Sequence, residues 1–300
     1  HQRLPTGEVC FSGWLRTHDC SPDALAERRP QLRLWDAGIN DTLPTLDYGE
    51  YMRTDAGMRA WIEAIQLHGV VLLRGVPAQP GQLLDVARRI GPVRPSNFGE
   101  YYDVVSMPNP NASAYTSMGL ELHTDLANWN SPPDVQLLFC IKSSVRGGES
   151  LFADGFKVAT DLRDRAPEAF RLLSSHPMDF RFHDDACDIR ASAPTIVLDG
   201  EGRITRVRFN NWLRAPMSLP EPLIEPMYAA LGTFWNMLRD PGYHLNLRLD
   251  PGCLIAYNNN RVLHGRASFD PTTGERHLQG CYLNLEDLQS KLRLLDRAQA

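Results

Sequence analysis

Residues 122–140 read LHTDLANWNSPPDVQLLFC, and this stretch decides how the chain is read. It closes in the apolar run VQLLFCI, which starts at Val135 and has the length and composition of a buried strand. Just ahead of that run stand His123 and Asp125, two positions apart. Side chains alternate along a strand, so residues i and i+2 face the same way and can reach one metal ion together. Alone, the pair is weak. A surface histidine beside a turn-capping aspartate explains it equally well.

Residues 252–269, GCLIAYNNNRVLHGRASF, carry a partner. His264 follows an apolar strand and precedes Gly265 and Arg266. Two imidazoles and one carboxylate form the facial triad that binds non-haem Fe(II) and leaves coordination positions open. Further on, Arg276 precedes the strand-like HLQGCYLNL. A guanidinium there can grip a carboxylate through two parallel hydrogen bonds. An oxidising co-substrate that chelates iron at one end and carries a carboxylate at the other fits, and 2-oxoglutarate is such a molecule. The plainer reading of Arg276 is a surface salt bridge with Glu275 or another acid.

The rest of the chain is that of an ordinary globular protein. With 300 residues, 43% of them apolar and 22% charged, it can bury a sizeable core as one large domain or one with an appendage. A net charge of −5 gives no case for nucleic acid or an anionic membrane surface. The apolar runs are too short to span a bilayer. No charged-then-apolar leader is seen, so secretion has no support. The six cysteines form no CxxC pair, which argues against a zinc ribbon or disulfide framework. Cys140, Cys253 and Cys281 read as small core residues, and a reducing cytoplasm is expected. Helical spacing predicts helices over 53–68, 80–90, 161–175 and 222–238. Strands are expected over 70–76, 134–142, 149–153, 195–199, 204–210, 252–257 and 278–285. Few helices with many short strands predict an α+β protein built around a sandwich or barrel.

From about Leu43 the chain resembles the Fe(II)/2-oxoglutarate oxygenases of the γ-butyrobetaine and trimethyllysine hydroxylase group, within the TauD-like superfamily. The blocks LPTLDYGEYM, GVVLLRGV, ELHTD with PPDVQLLFCI, GGESLFADGF, FNNWLR and LHGRASF with RHLQGCYLNLEDLQSKLR look like that family's, in order. The resemblance implies a double-stranded β-helix (jelly-roll) core over 43–300, with helices flanking it. It implies iron ligation by His123, Asp125 and His264, with O2 and 2-oxoglutarate as co-substrates. Arg276 matches the position that binds the distal carboxylate of 2-oxoglutarate, and Leu138 one that lines it. The partner it implies is a small trimethylammonium compound, held in an aromatic cage whose matching positions are Phe98, Tyr102, Tyr115 and Tyr282. A quaternary ammonium has no N–H to donate, so ring faces must hold it through cation–π attraction. Members are commonly dimers, which implies a homodimer here.

Two departures stand out. γ-Butyrobetaine hydroxylases hold the substrate carboxylate with an Asn and a Tyr where this chain has Ala112 and Leu126, although Asn210 and Asn211 are retained. The cage is therefore expected to be kept while the acidic end of the substrate differs. The family's N-terminal domain binds zinc through clustered cysteines and a histidine. Residues 1–42 look like only its remnant, with Val9 at the histidine position, so no structural zinc is expected. Hydroxylation is the default outcome of such a site. One rival is an oxygenase acting on a phosphonate, a sulfonate or an amino acid, for which a four-aromatic cage is unnecessary. Another is a non-catalytic betaine-binding jelly-roll, which has no reason to keep the HxD…H…R set.

Overall fold

A computed structural model describes residues 31–105 and 116–299, with the short pieces 2–3, 9–10, 19, 21 and 23–24 before them. Two compact units are present, His1–Arg33 and Leu34–Ala300. In the first, Gln2–Arg3 pairs antiparallel with Val9–Cys10, which places Val9 on a short ribbon. The second begins nine residues ahead of the expected boundary at 43. Trp35 and Ile39 are buried in its core, and the Trp35 indole donates to the His68 carbonyl at 2.7 Å.

Ten strands of this larger unit form two sheets. In chain order they are β1 (Thr45–Asp47), β2 (Val70–Arg74), β3 (Tyr101–Val104), β4 (Leu120–His123), β5 (Val135–Ser143), β6 (Ser150–Asp154), β7 (His244–Leu247), β8 (Leu254–Asn258), β9 (Val262–Arg266) and β10 (Arg276–Leu283). The six-stranded sheet runs β1-β2-β8-β5-β10-β3 and the four-stranded sheet β7-β6-β9-β4. All neighbours are antiparallel except β1 with β2.

Period-two alternation explains why the central strands are apolar without a break. Leu137 and Phe139 of β5 face one layer, with Val71, Leu73 and helices α1 (Tyr48–Arg53), α2 (Asp55–His68) and α3 (Gln82–Ile90). Leu138 and Cys140 face the other way and meet Val70, Leu72 and Ile255. There they pack against Phe152, Leu245 and Val262 of the four-stranded sheet. The far side of that sheet, through Leu122, Ala153 and Leu263, is covered by α4 (Gly155–Arg165), α5 (Pro167–Ser175) and α6 (Glu221–Leu238). The result is an α+β arrangement of helices, sheet, sheet and helices. Each fully buried Leu, Ile or Phe contributes about 1.5–3 kcal/mol.

Several expectations shift in detail. The single helix over 161–175 is two, α4 and α5. Ala166 leaves the helical region at φ −144° just before Pro167, where the ring disfavours a helical neighbour. The unit also holds a hairpin of Pro177–His183 with Asp188–Pro194, a pair of Ile196–Leu198 with Ile204–Val207 where strands over 195–199 and 204–210 were expected, a short pair of Arg146–Gly147 with Phe269–Asp270, and a last helix, Leu285–Gln299. Cys140, Cys253 and Cys281 are buried, free and in the core. Among the described residues no helix is long and apolar enough to cross a membrane.

Candidate metal centre

β4 ends at His123, and its antiparallel partner β9 carries His264 directly across from it. The two imidazole rings lie 4.3 Å apart. Asp125 is not on the strand. It sits in the turn beyond, so the expected strand alternation between His123 and Asp125 is replaced by a turn. Its next residue, Leu126, adopts a left-handed φ of +53°, rare for a non-glycine side chain. The turn brings the Asp125 carboxylate back over both rings. Oδ1 lies 3.4 Å from Nε2 of His123 and 3.7 Å from Nε2 of His264, and the three candidate ligand atoms fall within 4.8 Å of one another.

Neighbouring groups hold each donor in place. His123 Nδ1 donates to the Glu121 carbonyl at 2.8 Å, which leaves Nε2 directed toward Asp125. Glu121 is itself fixed by Arg239 at 2.7 Å and by the Trp235 indole at 3.2 Å, both reaching over from the C-terminal end of α6. The Asp125 backbone is clamped by Asn259, whose Oδ1 accepts from Asp125 N at 2.8 Å while Nδ2 donates to the carbonyls of Asp125 and Pro133. Burial works against ionisation of Asp125. The His264 and His123 imidazoles and the Tyr282 hydroxyl outweigh it and hold the carboxyl below its ordinary range. Burial, with His123 alongside, pushes His264 down to about 3. Two imidazole nitrogens and a carboxylate oxygen converge on one point. That donor set suits a divalent metal.

Three of the four expected cage residues come together. The rings of Tyr102 and Tyr282 are 5.5 Å apart and those of Phe98 and Tyr102 6.2 Å. Phe182, from the hairpin, adds an edge to Phe98 at 6.0 Å. Tyr115 and Ala112 lie outside the described residues. The Tyr282 hydroxyl donates to Asp125 Oδ2 at 2.7 Å, so the aromatic wall touches the metal-capable group itself. Burial and the Asp125 charge hold the Tyr282 hydroxyl protonated, with its pKa far above the ordinary value.

Arg276 starts β10, the strand that also carries Tyr282. It makes no ion pair among the described residues, since Glu275 is taken by Lys142 at 2.6 Å. Its guanidinium lies 5.5 Å from the Phe269 ring centroid, and burial pushes its pKa down to about 10. A half-buried cation without a counter-ion is poised for an anionic ligand. A cleft of about 310 Å³ opens beside it, lined in part by Val105 and Phe269. Leu138 lies between these ends on the inner face of β5, opposite Gly280. The asparagine pair divides. Asn210 is spent as a turn cap: Oδ1 accepts from Trp212 and Leu213 N–H, and Nδ2 donates to the Thr124 carbonyl. Asn211 has a buried Oδ1 with no partner among the described residues. Asn259, Glu121 and Gln136 escaped the sequence reading, because nothing local marks a residue whose hydrogen-bond partner lies elsewhere in the chain.

The family described as "Taurine catabolism dioxygenase TauD, TfdA family" matches residues 29–282. The chain is 41% identical to the gamma-butyrobetaine dioxygenase of Pseudomonas sp. (strain AK-1), over 95% of its own length and 75% of that protein's. It is 34% identical to the Homo sapiens gamma-butyrobetaine dioxygenase, covering 94% and 75%. It is 30% identical to the mitochondrial trimethyllysine dioxygenase of Homo sapiens, covering 87% and 63%. Among solved structures, a taurine dioxygenase from Burkholderia xenovorans superposes with a TM-score of 0.61 at 17% identity, covering 80% of this chain and 87% of that one. Likeness at that level speaks to the fold alone.

Proposed function

Because the chain belongs to the TauD/TfdA dioxygenase family, we propose that it is an Fe(II)/2-oxoglutarate-dependent dioxygenase that hydroxylates a C–H of a small trimethylammonium compound. One observation carries this reading: the aromatic wall of Phe98, Tyr102 and Tyr282 is joined by a hydrogen bond to Asp125 of the metal-capable cluster. A cation held on those rings is thereby held next to the metal.

His123, Asp125 and His264 hold the iron, and Arg276 takes the distal carboxylate of 2-oxoglutarate, with Leu138 along its chain. Iron with 2-oxoglutarate and O2 supplies the oxidising chemistry. This chain's residues decide which C–H is presented to it, because a bound substrate reacts where it is positioned. The ring faces of Phe98, Tyr102 and Tyr282 attract the ammonium head without needing a proton from it. The two facing sheets are the family's double-stranded β-helix. Residues 43–300 carry the blocks of the catalytic domain, whose compact unit begins at Leu34. A cytoplasmic homodimer is part of the same proposal, and neither nucleic acid nor a membrane has a role in it.

The acidic end of the substrate differs from that of γ-butyrobetaine. Support comes from Leu126 and Ala112 at the positions that serve the carboxylate, and from the commitment of the Asn210 side chain to its turn. Asn211, whose Oδ1 is buried with no partner among the described residues, then faces a larger or differently charged group, which keeps a phosphonate, a sulfonate or an amino acid-derived substrate as the second reading. The test is 2-oxoglutarate decarboxylation against a panel of quaternary ammonium compounds and their primary-amine counterparts. Stimulation by the quaternary members and its loss in His264→Ala are expected. Equal stimulation by the primary amines would remove the cage. Efficient turnover of γ-butyrobetaine but not of larger analogues would remove the altered acidic end.

A further inference from the structure

We infer that Tyr282, backed by Tyr102 and Gln136, is a positioning residue for Asp125: its hydroxyl takes up one carboxylate oxygen and so confines the metal to the other. The inference rests on the reading of His123, Asp125 and His264 as a metal centre.

The geometry is a chain of donors with a single direction. An ionised carboxylate only accepts, so the 2.7 Å contact to Asp125 Oδ2 uses the one proton of Tyr282. The Tyr282 oxygen then accepts from the Tyr102 hydroxyl at 3.1 Å, and the Tyr102 oxygen from Gln136 Nε2 at 2.8 Å. Turning the Gln136 amide around would point its carbonyl at Tyr102 and set two acceptors against each other. Gln136 and Tyr282 are buried cross-strand partners on β5 and β10, so the chain is built into the sheet. Tyr102 reaches it across Gly280, its own partner on β10. A Cβ at 280 would come within 2.5 Å of the Tyr102 ring and 2.6 Å of its hydroxyl.

The two oxygens of Asp125 are thus divided. Oδ1 faces Nε2 of both histidines, and Oδ2 is held from behind by Tyr282. A carboxylate so held gives the metal one oxygen, which leaves the remaining positions for a chelating co-substrate and a further ligand. Tyr102 and Tyr282 then serve two ligands at once, the ammonium with their ring faces and the metal with their hydroxyls.

Replacing tyrosine by phenylalanine separates these roles, since the ring stays and the donor goes. Mn(II) affinity is measured by electron paramagnetic resonance titration of the free ion in the metal-stripped protein, together with the visible spectrum of the Co(II) form. Outer hydrogen-bond partners of metal ligands are typically worth about 10- to 100-fold in affinity. Tyr282→Phe is expected to lose Mn(II) affinity by about that factor and to shift the Co(II) spectrum as the freed oxygen joins the metal. Tyr102→Phe, one step removed, is expected to show a smaller loss in the same direction. A group that only fills space would change the melting temperature of the metal-free protein and leave the Co(II) spectrum alone. If Tyr282→Phe folds, binds Mn(II) within about twofold of the parent and keeps its spectrum, the inference is overturned. If Tyr282→Phe does not fold, Tyr102→Phe decides by the same two measurements. A parent protein that binds Mn(II) no better than His264→Ala would take down the metal centre and the inference together.

Discussion

Gly280 shows how much of this site rests on an atom that is absent. The Tyr102 ring lies where a side chain at 280 would go, so Gly280→Ala forces the ring to move. Overpacking of this kind costs about 1–3 kcal/mol. The displaced hydroxyl also loses its bond to Tyr282. Urea unfolding should report the stability loss, and weaker binding of a quaternary ammonium ligand, measured by calorimetry, should accompany it. A variant with parental stability and parental ligand affinity would show that the ring does not depend on that seat. At this scale the chemistry was legible in part. His123, Asp125 and His264 are singled out by residue type and order, and the fold brings their candidate ligand atoms within 4.8 Å of one another. Gly280 and Gln136 declare nothing. One is a missing side chain and the other an unremarkable amide within a strand, and each gains meaning only from what the fold lays against it.

Between elements, the contact that matters most to the site is the buried ion pair of Asp154 and Arg261. Asp154 ends β6 and Arg261 directly precedes β9. Their side chains, 0% and 1% exposed, meet at 2.7 and 3.1 Å. Asp154 also caps α4 through the Phe156 N–H and accepts from Trp35 N. One carboxylate therefore fixes a helix start, the entry of the chain and the register of β6 on β9, in which Phe152 lies opposite His264. Asp154→Ala removes the carboxylate that meets the buried guanidinium. A loss of about 3–5 kcal/mol in unfolding free energy is expected, and replacing both partners with apolar residues of similar volume should recover much of it. If the single substitution costs under about 1 kcal/mol, as an exposed pair would, the pair does not lock the two strands. Element reading from the chain fared unevenly for physical reasons. The long apolar strands 70–74 and 135–143 stood out because both of their faces are buried. β4 and the hairpin over 177–194 did not, because their burial is broken along their length and their partners are set by the tertiary fold. Strand spacing at His123 and Asp125 misled for the same reason: the turn at Leu126, not a pleat, aims the carboxylate.

Across the whole molecule, the two sheets and their helices bring the ligand set together by backbone pairing. The histidines are cross-strand partners, Asn259 clamps the Asp125 turn, and Tyr282 holds the carboxylate from the opposite sheet. None of these restraints needs an ion. Chelation should therefore strip the metal and abolish 2-oxoglutarate turnover with little change in far-ultraviolet circular dichroism, and added Fe(II) should restore the activity without refolding. Loss of secondary structure on chelation would mean instead that the metal builds the site.

The Asn259 clamp and the Glu121 carbonyl that steers His123 have a practical corollary. A socket formed ahead of its occupant can be purified empty and look healthy by every structural criterion. A silent assay in a chelating or oxidising buffer would then report on the iron supply rather than on the wrong substrate, so screens of candidate betaines belong in reductant with fresh ferrous salt.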